Sequence, residues 1–182
     1  MTGPRIAPAQ PPYDDAAAAV LAKLTTPGME PLMLFRTLVR HPDLASRMRP
    51  LGAGILGHGT VPTRLRELVI QRTCARCGAE YEWGVHATVF AAAAEFTPEQ
   101  LAATAAVDPD HPSWSDLDRT VLRLADELHD TGKLTDATFA SLAGELTDAQ
   151  ILELVVTAGW YHVISFVIGA ADLPREPWAA RW

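Results

Sequence analysis

Glu82 and His86 stand four residues apart in the string Glu80-Tyr-Glu-Trp-Gly-Val-His86. On an α-helix that spacing puts both side chains on one face, one turn apart, where a carboxylate orients an imidazole and raises its basicity. Glu67 lies on an earlier helical stretch, and Gly78 between the two allows a reversal that carries its carboxylate to the pair. Two carboxylates and an imidazole in one hollow drive their proton affinities apart, which is how a pocket obtains an acid and a base near neutral pH. The expected chemistry is proton transfer on a small carbonyl- or lactone-containing compound: decarboxylation, isomerisation, elimination or cyclisation. His86 would move the proton, Glu82 and Glu67 would orient it or share it, and Tyr81 or His162 would assist. The same spacing also fits a solvated surface pair worth a few tenths of a kcal/mol.

A second chemistry is written in Cys74-Ala75-Arg76-Cys77. In a reducing compartment a CxxC suggests thiol redox work, here a thiol-dependent hydroperoxide or disulfide reductase. Reactive CxxC thiols draw a low pKa from a helix N-terminus, whereas these fall where a helix ends and the dipole disfavours an anion. Buried structural thiols are the competing expectation. With no second cysteine pair to complete a zinc set, no metal is expected. Trp83, Phe90, Trp160 and His162 are candidate walls of a substrate pocket, although aromatics at helical spacing also pack cores. A third reading is a non-catalytic helical oligomer that binds a small ligand.

The elements that must position these residues are all helical. Pro4, Pro8, Pro11 and Pro12 make residues 1–13 an extended arm. Residues 14–174 read as a single helical domain, and 175–182 as a tail whose Trp178 and Trp182, like the arm, look made to lie against a neighbouring subunit. Within the domain, helices are expected from Asp14 to Pro27, Glu30 to Arg40, around Leu44 to Ile55, from Pro62 to Cys77 and from Ala79 to Glu95. Thr97-Pro98-Glu99-Gln100 has the form of a capping box, Ser113 or Ser115 caps another helix, Asp136 begins one, and Thr147 caps a last long one. That last helix is apolar nearly all round from Ile151 to Ala171, which predicts a position mid-bundle or between subunits.

The 182 residues suit one domain, and 48% hydrophobic with 20% charged residues is ordinary globular usage. With 15 Lys+Arg against 22 Asp+Glu and no basic stripe, nucleic acid is not an expected partner. The longest apolar run near the C-terminus, Val163 to Ala171, is short of the roughly 20 residues of a membrane span. The N-terminus lacks the pattern of a secretory signal and two cysteines make no disulfide framework, so a cytoplasmic protein is expected.

Three strings together, Arg64-Leu-Arg-Glu-Leu-Val-Ile-Gln-Arg72, Cys77-Gly-Ala-Glu-Tyr-Glu-Trp-Gly-Val-His86 and Thr97-Pro-Glu-Gln100, resemble carboxymuconolactone decarboxylase-like proteins of the alkylhydroperoxidase D-like superfamily. Ala125-Asp-Glu-Leu128, Leu146-Thr-Asp148 and the stretch to Leu173 are similar to their second half. The resemblance implies an all-α bundle that forms homo-oligomers (dimer, trimer or hexamer), with sites near subunit contacts. It also implies a small-molecule substrate and no cofactor. In the redox branch a CxxC ends four residues before a histidine, and those positions fall here on Ala79 and Glu82, with the branch's glutamate on Glu67. Cys74 and Cys77 lie five residues out of register. The resemblance thus favours proton transfer over thiol chemistry. In the decarboxylase branch a positive group holds the substrate carboxylate, a role open to Arg72 or Arg76.

Overall fold

The computed structural model describes residues 3–106 and 110–182. Among these, nine helices and no strands form: α1 (Asp15–Leu24), α2 (Met33–Leu38), α3 (Pro42–Gly57), α4 (Thr63–Arg76), α5 (Glu80–Val89), α6 (Pro98–Ala105), α7 (Asp116–Thr131), α8 (Asp136–Ala143) and α9 (Asp148–Ala171). The start signals act as their chemistry dictates. Thr97, Ser115 and Thr147 each accept from the backbone three residues on, while Gln100, Asp118 and Gln150 reach back to the cap residue.

The centre is occupied by α4, which packs against α5, α6, α7 and α9. It is the most polar of the buried helices: Glu67, Gln71, Arg72 and Thr73 are as inaccessible as Leu68, Val69 and Ile70. Such burial is tolerable only where each charge finds a partner. Arg72 grips both oxygens of Asp126 on α7 at 2.7 and 2.9 Å, and Arg64 grips Asp118 at 2.9 Å. Around these contacts Leu65, Leu68 and Val69 meet Val121, Leu122 and Leu124 of α7 and Leu154 and Ala158 of α9.

The last helix is buried along one side only. By length and composition α9 passes as a possible membrane span, yet it lies along α4, α5 and α7 with one side buried. Its other side leaves Leu152, Val156, Val163 and Phe166 exposed. The N-terminal layer of α1, α2 and α3 closes over α9 from the opposite end of the chain.

Three expectations shift for tertiary reasons. α5 stops at Val89 rather than Glu95: residues 90–95 run on as turns that end with Glu95 at φ 55° and Phe96 N–H on Ala91 O, and Arg64 takes the carbonyls of Ala94 and Glu95 at 3.3 and 3.2 Å. α2 begins only at Met33, where Glu176 of the tail accepts the Met33 N–H at 2.6 Å. The arm and tail lie on their own chain. Arg5 donates to Ala171 O and Ala9 to Arg36 O, while Trp182 rests on Trp83 with ring centroids 5.6 Å apart. The tail runs so close to α5 that a Cβ on Gly84 would stand 2.2 Å from Ala180 O.

The reversal between α4 and α5 is a Schellman turn: Ala79 N–H donates to Cys74 O and Gly78 N–H to Ala75 O, with Gly78 at φ 66°. Nothing lies within 4 Å of a Cβ built there. Gly78→Ala therefore tests backbone strain alone, and urea unfolding should show a loss of about 1–2 kcal/mol; an unchanged midpoint would mean the turn does not need the left-handed conformation.

Candidate active site

The α4–α5 reversal sets Glu67 against His86, 19 positions later, and Nδ1 of His86 lies 2.7 Å from Oε2 of Glu67. Both are buried. The other Glu67 oxygen accepts from Arg66 Nε at 3.1 Å, and Arg66 also donates to Leu56 O. The carboxylate is thus held from two sides and fixes the imidazole tautomer: Nδ1 carries a proton, and Nε2 faces away.

Nε2 lies 3.0 Å from the hydroxyl of Tyr161 on α9, whose ring meets the imidazole edge-on at 5.0 Å. Phe90 stacks on the other side at 4.9 Å. Glu82 comes to 3.6 Å from Nε2 through Oε1, beyond good hydrogen-bond length. Its Oε2 is buried and has no hydrogen-bond partner among the described residues. A buried carboxylate oxygen left unsatisfied is costly, and such atoms concentrate where a ligand or reaction uses them.

Glu82, His86 and Tyr161 form the polar floor of a cavity of about 390 Å³. Its walls are apolar: Leu34, Phe35 and Leu38 from α2, Met48 and Leu56 from α3, Val85 and Phe90 from the α5 region, Trp160 and Ile164 from α9, and Trp178 from the tail. Lys23, Glu30 and Arg49 stand among the lining residues of the α1–α3 layer. A volume of this size suits a small organic molecule.

Burial alone would push the His86 imidazole down, but the hydrogen bond to Glu67 and the nearby Glu82 more than offset it and raise it to about 9. At neutral pH His86 is an imidazolium, so Nε2–H donates to the Tyr161 oxygen. Burial and then the charges of Glu82 and Glu67 push the Tyr161 phenol well up, so it keeps its proton.

Several residues expected here are elsewhere. Tyr81 is not in the cavity: its hydroxyl donates to Glu176 Oε1 at 2.6 Å and accepts from Leu34 N–H at 3.1 Å, tying α5 to α2 and the tail. Arg72 is consumed by Asp126 and so is unsuited to holding a substrate carboxylate, and Arg76 pairs with Asp126 and Asp130. Trp83 turns its indole N–H to Thr104 at 2.8 Å inside the core. His162 faces away from the floor, 3.0 Å from His129. Phe90 and Trp160 do line the cavity, and Tyr161 and Arg66 are functional positions that the sequence reading passed over. The signal for Tyr161 was present: on α9 it belongs to the buried series Leu154, Ala158, Tyr161 and Ile164, and His162 does not. Cys74 is fully buried and Cys77 partly so, both as free thiols, and burial raises both above the ordinary thiol range.

The carboxymuconolactone decarboxylase family model matches residues 42–127, the segment that contributes Glu67, Glu82, His86 and Phe90. Tyr161, Trp160, the α1–α2 walls and Trp178 lie outside it. Among solved structures, a protein of unknown function from Agrobacterium tumefaciens, described as a candidate antioxidant defence protein AhpD, is similar at TM-score 0.69 and 14% identity, covering 76% of this chain and 94% of that one. An uncharacterised peroxidase-related protein from Ralstonia eutropha JMP134, with an alkylhydroperoxidase AhpD core, gives 0.69 and 16%, over 94% and 93%. The debrominase Bmp8, as a cysteine-to-alanine variant in complex with 2,3,4-tribromopyrrole, gives 0.66 and 19%, over 94% and 91%. These likenesses establish the shared all-α, AhpD-like fold. No curated protein matches the sequence.

The raised His86 value couples stability to pH. A group held more protonated in the folded state contributes fully below its unfolded value near 6.5 and loses that contribution as pH rises through about 9. The contribution is on the order of 3 kcal/mol. Urea midpoints should therefore fall between pH 6.5 and 9, and Glu67→Gln should flatten that fall; an equally steep fall in the variant would mean that another group titrates.

Proposed function

We propose, on the match of residues 42–127 to the carboxymuconolactone decarboxylase family model, a cofactor-independent enzyme that removes a proton next to a carbonyl in a small, largely apolar substrate. The observation that carries this reading is the unsatisfied Glu82 Oε2 beside a tyrosine–imidazolium–carboxylate chain on the floor of a partly open apolar cavity.

Each group has one role. Glu82 Oε2 accepts the proton from carbon, and its surroundings keep water from solvating the carboxylate. Electron density moves to the substrate oxygen, which receives a hydrogen bond from the Tyr161 O–H. The Tyr161 oxygen is polarised by the His86 Nε2–H, and Glu67 accepts from Nδ1–H and balances the imidazolium charge. Protonation of the enolate at another carbon gives isomerisation; expulsion of a leaving group, with its electron pair, from the β-carbon gives elimination. The sequence alone assigns the moving proton to His86. A His86 value near 9 supports the acid side of the reaction for it and leaves the base to Glu82.

The competing thiol reading fares worse. Cys74 is buried, does not line the cavity and has a raised thiol, so at neutral pH it offers little thiolate and none of it to the cavity. The apolar stripe of Leu152, Val156, Val163 and Phe166 supports assembly as a homo-oligomer through α9.

The reading is tested by following α-proton exchange of a panel of small alkyl and aryl ketones and lactones in D₂O by NMR. Wild-type protein should accelerate exchange of at least one member, with a decline above about pH 9 as His86 loses its proton. Glu82→Gln and Tyr161→Phe should each lower the rate by about 10²–10⁴, and Cys74→Ala should leave it unchanged. Hydroperoxide consumption that depends on Cys74 and a dithiol donor, with no exchange on any member, would overturn the proposal in favour of the thiol chemistry.

A further inference from the structure

A second cluster of chemically capable side chains stands apart from the cavity. Cys77 caps the C-terminal end of α4, His129 sits in the last turn of α7, and His162 lies midway along α9. Their ligand atoms all fall within 4.8 Å of one another, and all three residues are half-buried. Cys77 Sγ is 3.9 Å from His129 Nδ1, and His129 Nδ1 is 3.0 Å from His162 Nε2.

We propose that Cys77, His129 and His162 form a binding site for a divalent transition metal of the zinc class, with water in the fourth position. Metal–sulfur and metal–nitrogen bonds of about 2.3 and 2.0–2.1 Å, set at tetrahedral angles, separate sulfur from nitrogen by about 3.6 Å and nitrogen from nitrogen by about 3.3 Å. The observed 3.9 and 3.0 Å bracket those separations, and the third, between Cys77 Sγ and His162 Nε2, is within 4.8 Å. One thiolate and two imidazoles are the donor set that zinc, cobalt, nickel and copper prefer over magnesium or calcium.

The surroundings supply the rest. His162 Nδ1–H donates to Ala158 O at 2.8 Å, which fixes the tautomer whose Nε2 lone pair faces the cluster. Without metal that lone pair accepts from His129 Nδ1–H; with metal, His129 carries its proton on the other nitrogen and Nδ1 ligates. Cys77 binds as the thiolate and its proton goes to solvent, so the bound dication keeps one net positive charge. Arg76, whose charge bears on His129, is paired with Asp126 and Asp130, whose charges oppose it there. A bound ion would join α4, α7 and α9, the helices that carry Glu67 and Tyr161, and would shield the one accessible thiol from oxidation.

The test is a Co²⁺ titration of the reduced, chelator-stripped full chain at neutral pH. A single equivalent should produce d–d bands of tetrahedral intensity and a thiolate-to-cobalt charge-transfer band, and Zn²⁺ should bleach both. Cys77→Ser should abolish the charge-transfer band, and His162→Gln should weaken Co²⁺ binding more than tenfold, with circular dichroism showing both variants folded. Cys74→Ala should keep the wild-type spectrum. Absence of a charge-transfer band in wild-type protein, or its survival in Cys77→Ser, would overturn the proposal. Failure here leaves the proton-transfer reading of the cavity untouched, because the two sites share no ligand residue.

Discussion

The Glu67 carboxylate is the constraint to which the rest of the structure answers. It is fully inaccessible, on a helix that touches four others, and an unpaired charge there would cost several kcal/mol. His86 and Arg66 supply the compensating partners, and each must be delivered to within about 3 Å. That requirement dictates the α4–α5 turn and the glycine in it. It also orients His86, because an imidazole whose Nδ1–H is committed to Glu67 can present only Nε2 to Tyr161 and Glu82.

Burial of charge inside α4 gives the bundle specificity as well as stability. Arg72 and Arg64 reach Asp126 and Asp118 on α7 in bidentate geometry, so α7 can seat against α4 in one register only. Arg72 is therefore a frame residue, and its removal from the expected substrate-binding set follows from the same rule that keeps it in the sequence: a guanidinium with no exposed surface must spend its donors on the protein.

The cavity is made from two sources. Its floor comes largely from the family-matched segment, while the walls include α2, α9 and the tail beyond that segment. Floor and walls therefore each draw on residues inside and outside that segment. The debrominase and the AhpD-like proteins share the fold at 14–19% identity, and the likeness reaches the fold alone.

Local chemistry already determined much of this. Capping boxes, helix periods and the break at Gly78 are short-range signals, so the all-α class and the placement of Glu67, Glu82 and His86 on adjoining helices were legible from residue types alone. Those three do converge, because the separation along the chain is short and one turn controls it. What only the tertiary structure decided is everything that depends on which way a side chain turns between distant elements. Tyr161 rather than Tyr81 meets the imidazole, since a phenol's partner is set by the packing of α9, 75 residues away, and Tyr81 finds Glu176 instead. His162 faces His129 because successive residues on a helix point about 100° apart. The raised basicity of His86 and the unpaired Oε2 of Glu82 rest on burial and on distances of a few ångströms, and no pattern of letters encodes either.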